Sequence, residues 1–155
     1  MAKHIKKLHY HYEYKKKEIT GEMVINLGRF EGQYGKAQYR LDSAVMTDMV
    51  PFMPMQTGQF INVTRAMSAA IAGSGKVFAA APPIGRFLYE GNVMVGVKSR
   101  SPFARLGEKK EATGRPLLYT RTAHPDVQDH WFYSAKRKHK KKWVSITKQT
   151  AGGGK

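Results

Sequence analysis

Residues 33–52 read Gln-Tyr-Gly-Lys-Ala-Gln-Tyr-Arg-Leu-Asp-Ser-Ala-Val-Met-Thr-Asp-Met-Val-Pro-Phe. Tyr34, Ala37, Leu41, Ala44, Val45, Met49 and Phe52 recur at three- and four-residue steps. A helical winding gathers them into one apolar stripe, with Asp42 and Asp48 mostly off it. Pro51 and Pro54 end the run, because a proline ring removes an amide donor and restricts the residue before it. The stretch predicts a long helix over about 33–50.

Outward from this helix the periodicity changes. In 8–15, Leu8, Tyr10, Tyr12 and Tyr14 alternate with His9, His11, Glu13 and Lys15, which is a strand pattern with an aromatic face. Lys15, Lys16 and Lys17 break that run, and residues 23–27 supply a second short strand ended by Gly28. On the other side, Thr57-Gly58 is a turn, and the weak alternation of Phe60, Ile61 and Val63 predicts a strand near 60–66. Gly73-Ser74-Gly75 is another turn. A strand is expected at 76–80, a short helix at 83–89 with Phe87 and Leu88 buried, and a strand at 115–120. Residues 91–114 read as one long basic loop. A last helix is expected at 127–146, capped by Asp126 and anchored by Val127, Trp131, Phe132 and Ala135. The expected class is α+β, a small mixed sheet with three helices. A basic extension (1–20), a single domain (21–146) and a flexible tail (147–155) complete the division.

The chain has 155 residues, 41% hydrophobic and 25% charged, which suits one globular domain. Its charge does not: 27 Lys and Arg against 11 Asp and Glu give +16. The excess is clumped at 1–17, 98–121 and 136–148, and the last of these holds no acid. Such a field attracts phosphate or an acidic protein surface without reading sequence. Lys15, Lys16, Lys17, Lys138, Lys140, Lys141 and Lys142 are the expected contacts. The absence of cysteine excludes disulfides, thiolate metal sites and cysteine nucleophiles. No apolar run approaches the ~20 residues of a membrane-crossing helix, so a soluble chain made in a cytoplasm is expected, with no membrane partner.

Catalytic patterns are weak. Gly73-Ser-Gly-Lys76 imitates half of a phosphate loop, but Val77 follows where Ser or Thr is needed. His9 and His11 with Glu13 make a poor metal set. Asp126 and His130, four residues apart, read as a local pair rather than an acid–base couple. No enzyme activity and no cofactor are expected. Trp131 reads as a core anchor. Trp143 lies where the apolar stripe fades and reads as an interface residue, as do Phe103 and Leu106, the apolar residues of the 91–114 loop.

Three further stretches carry a resemblance. They are Val-Pro-Phe-Met-Pro-Met-Gln-Thr-Gly (50–58), Gly-Lys-Val-Phe-Ala-Ala-Ala-Pro-Pro-Ile-Gly-Arg-Phe-Leu-Tyr-Glu-Gly-Asn-Val-Met-Val (75–95), and Arg-Pro-Leu-Leu-Tyr (115–119) with His-Pro (124–125) and His-Trp-Phe-x-x-Ala-Lys (130–136). In order and spacing over 41–144 this resembles a family of minor capsid proteins of tailed bacteriophages, related to tail-completion and head–tail joining proteins. It departs at Pro83 and Ile84, where the family has Tyr-Ala. The resemblance implies a small α/β domain that forms a ring in the virion neck, without catalysis. A six-fold ring is expected, with twelve-fold as the alternative. Implied partners are other neck proteins, the portal-side connector and tail-tube or tail-terminator proteins, with nonspecific contact to genomic DNA. The competing expectation is a basic nucleic-acid-binding module that does not assemble.

Overall fold

The computed structural model describes residues 13–18, 21–26 and 28–152, with side chains described over 30–152. The class is α+β. Strands β1 (Glu13–Glu18) and β2 (Gly21–Asn26) form an antiparallel hairpin with Glu13 opposite Asn26 and Glu18 opposite Gly21. Lys15, Lys16 and Lys17 therefore continue the strand that they were expected to break. The rest of the expected 8–15 strand lies outside the described residues.

Helix α1 (Gly28–Met49) passes into a single 3-10 turn at Val50–Phe52, where Pro51 stands. Then come α2 (Gln59–Ala70), α3 (Gly85–Glu90), β3 (Asn92–Gly96), β4 (Lys110–Pro116) and α4 (Trp131–Thr150). β3 and β4 pair antiparallel, with an irregularity between Asn92 and Met94. The described strands thus make two separate antiparallel pairs, not one mixed sheet.

α1 and α4 lie antiparallel and share most of the core. Val45, Met46 and Met49 of α1 pack with Phe52, Met53 and Ile61, and with Trp131, Ala135 and Trp143 of α4. The expected stripe on α1 is buried at Ala37, Val45, Met49 and Phe52, whereas Tyr34 is exposed.

Four expectations fail for local reasons. Residues 59–70 are helical, not a strand. The buried positions are Ile61, Thr64 and Ser68, spaced for a helix, and two of the three are hydroxyl residues that an apolar count overlooks. Those hydroxyls explain why 76–80 is no strand. Thr64 Oγ1 accepts from Ala81 N at 3.2 Å, and Ser68 Oγ accepts from Phe78 N and donates to Phe78 O, so the segment is docked on a helix instead of a neighbouring strand. Residues 91–114 are not one loop: the β3–β4 hairpin occupies them, and its β4 replaces the strand expected at 115–120. Finally, α4 begins at Trp131 and runs past 146 to Thr150. His130, in the left-handed region at φ 43°, precedes it, and no side chain caps it. Val127 is buried just ahead of the helix, and Phe87 and Leu88 are only half-buried.

Candidate functional site

Asp42 and Asp48 of α1 were expected to lie mostly off its apolar stripe, yet both are buried, because each finds donors there. Asp42 Oδ2 accepts from the amides of Gly73 and Gly75 at 2.8 and 3.1 Å, and its Oδ1 accepts from Gln38 at 2.7 Å. The glycine turn that imitates a phosphate loop therefore already holds an anion, the protein's own. Asp48 accepts two hydrogen bonds from Lys142 Nζ (2.7 and 3.0 Å) and one from Trp143 Nε1 (2.8 Å). Burial pushes its carboxyl up. The bonds from Lys142 and Trp143, with the charges of Lys142 and His139, outweigh that and hold it below its ordinary value.

This clamp corrects two expectations. Trp143 is 6% exposed, stacks against Phe132 and belongs to the core of the single chain instead of standing out from it. Lys142 is committed to the α1–α4 seam. Lys138 pairs with Asp126 at 3.3 Å and lies over the Phe52 ring. Asp126 is thus joined to Lys138 and not to His130, which faces Glu90 and Asp129 at 3.6 and 3.7 Å. Lys136, Arg137, Lys140 and Lys141 make no ion pair among the described residues. Lys15, Lys16 and Lys17 lie on β1, and their side chains fall outside the described ones, as do His9, His11 and the side chain of Glu13. Among the described residues no group of three or more acidic or histidine side chains is placed to hold a metal.

The β3–β4 turn is an ordered arm. One Glu108 oxygen accepts from the amides of Lys98 (2.8 Å) and Ser99 (2.6 Å), and the other accepts from Arg105 N (2.9 Å). The amides of Ser99 and Arg105 do most to bring the Glu108 carboxyl down to about 2. Arg100 pairs with Glu111, and Lys110 Nζ donates to Pro102 O at 2.7 Å. Held out on this braced turn, Phe103 is 89% exposed and Leu106 wholly so. Both expected interface residues are therefore uncovered in the single chain.

Two further grooves lie on the surface. One, of about 510 Å³, runs between 54–60, 81–84 and 117–120, with Leu118 92% exposed beside it. The other, of about 360 Å³, lies over the α1–α4 seam. Neither was anticipated. The signal for the second was the spacing of Lys136, Lys140, Val144 and Lys148, which share one face of α4.

The stretches that carried the resemblance meet at one joint. Trp131 Nε1 donates to Ala79 O at 2.7 Å, and Tyr89 packs edge-on against the Trp131 ring. His130 N donates to Tyr89 O at 2.9 Å, and the Tyr119 hydroxyl donates to Leu88 O. His124 Nδ1 lies 2.7 Å from Met53 O, so that nitrogen carries the proton. Burial, and then the charge of Asp129, push the Tyr119 phenol up to about 12. These are packing roles, and the donors are spent on backbone carbonyls. No family model matches the chain, and no curated protein or solved structure matches it.

Proposed function

We propose that this chain is a structural virion protein of a long-tailed phage, whose copies close into a ring in the head–tail neck around the DNA path. The observation that carries the reading is the braced hairpin arm with Phe103 and Leu106 held in solvent. Ordering a turn to display apolar side chains costs free energy in a monomer, and covering them in an assembly recovers it. The quoted stretches at 50–58, 75–95 and 115–136 support the family. A closed ring needs two different patches per subunit. Six copies are favoured, with twelve as the alternative, and the chain performs no catalysis. Neighbouring neck proteins, the portal-side connector and tail-tube or tail-terminator proteins are the partners, and the virion neck is the location.

Native mass spectrometry and negative-stain microscopy of the full chain test this. The expected result is a closed ring that the double variant Phe103→Ala/Leu106→Ala abolishes while leaving the monomer folded. A wild-type chain that stays single, or a variant that unfolds, defeats it. The second reading, a nucleic-acid-binding module, is favoured by Lys136, Arg137, Lys140 and Lys141, which make no ion pair among the described residues. Salt-dependent DNA binding by a monomer that never self-associates would decide for it.

A further inference from the structure

The groove over the α1–α4 seam combines an apolar floor with a cationic rim. Its floor is apolar, made by Leu41 of α1 and by Trp143 and Val144 of α4, and Val144 is 45% exposed. Its rim is cationic: Lys136, Lys140 and Lys148 line it, and none has an ion pair among the described residues. From Lys136 to Lys148 the rim runs ~18 Å along the helix, three to four turns. Of the other α4 cations, Lys142 is spent on Asp48 and Lys138 on Asp126, whereas Arg137 and Lys141 lie off this groove.

The geometry points to a docking groove for an acidic amphipathic helix of a partner protein. Such a helix lays apolar residues at i, i+4 and i+7 on Leu41 and Val144 and sets its Asp or Glu side chains against the three lysines. Charge selects the partner's sign, and the floor selects its amphipathicity. DNA satisfies only half of this. Phosphate gains nothing from an aliphatic floor, and a base needs an open aromatic face. Trp143 offers none, since its ring is buried against Phe132 and its Nε1 is held by Asp48. A small anion would not need the floor at all. The inference does not depend on ring assembly and is tested on the monomeric chain.

The probe is a synthetic helical peptide of about 16 residues with leucine at i, i+4, i+7 and i+11 and glutamate elsewhere, labelled for fluorescence anisotropy with the full chain. Saturable binding is expected. Val144→Arg is the decisive variant because it adds a positive charge while filling the floor. The groove predicts roughly tenfold weaker binding, whereas pure charge attraction predicts tighter binding. Lys140→Gln and Lys148→Gln should each weaken binding about twofold to fivefold, the worth of one ion pair at a solvent edge, and Lys141→Gln should leave it unchanged. The inference is overturned if the peptide with serine in place of leucine binds equally well. It is also overturned if Val144→Arg binds as tightly as wild type, or if a single-stranded oligonucleotide displaces the peptide competitively. A chain that binds the peptide but never forms rings contradicts the ring and leaves the groove standing.

Discussion

Replacing Asp48 by alanine takes away the acceptor of three hydrogen bonds that join α1 to α4. The Trp143 N–H is then buried without a partner, which costs about 1–3 kcal/mol. Lys142 loses its counter-ion, but its side chain is half exposed and rehydrates, so that loss adds at most about 1 kcal/mol. The sum is about 1–4 kcal/mol, a large part of the ordinary stability of a domain and equivalent to roughly 2–16 °C in Tm. Asp48→Asn keeps an acceptor for Trp143 and should cost about 1 kcal/mol; Lys142→Met should cost no more than that. Urea unfolding of the three variants measures the order. The pH dependence supplies a second check. The folded-state value of Asp48 lies below the unfolded one, so its contribution is complete above about pH 4 and is lost as pH falls through the folded value. The stability gap between wild type and Asp48→Asn should therefore close on acidification. An Asp48→Ala variant within about 0.5 kcal/mol of wild type, or a gap that is the same at pH 7 and pH 3, refutes the clamp.

The other expectations concern the hairpin, the α3 joint and the lysines. Glu108→Gln should speed amide exchange at Lys98, Ser99 and Arg105 with little change in overall melting. In wild type, protection at those amides should persist on acidification and be lost only as pH falls through about 2. Gly85→Ala places a methyl 2.7 Å from the Ala80 carbonyl carbon and should cost about 1–3 kcal/mol in thermal unfolding. Lys138, Lys140 and Lys141 changed together to Gln should leave stability within about 1 kcal/mol, and adding Lys142→Gln should lower it further. Equal melting of the triple and quadruple variants would contradict the assignment of Lys142 to the fold.

The sequence made the long helix legible because its stripe is apolar and its stop is proline, two signals that act locally. It made Trp131 and Ala135 legible for the same reason. It hid α2, because Thr64 and Ser68 do the packing there with hydroxyls. It hid the hairpin, because Lys110, Glu111, Ala112 and Gly114 have little strand preference alone and the segment is ordered by pairing with 92–96. It misplaced Trp143, whose burial depends on a carboxylate 95 positions away in the chain. Phe103 and Leu106 were recognised as apolar residues in polar surroundings, but the brace that presents them was not, since a carboxylate bonded to three amides leaves no periodic trace.

The burial of α4 is uneven along its length. Trp131, Ser134, Ala135 and Trp143 are buried, and no residue from Val144 to Thr150 is. Opening that far end exposes little apolar surface, so its last two turns should unwind in sub-global events that leave the Trp131 end intact. Amide exchange along the helix should then form a gradient with a step near Trp143, faster toward the C-terminus. The same helix is at one end a keystone of the monomer and at the other a segment that a second molecule can stiffen.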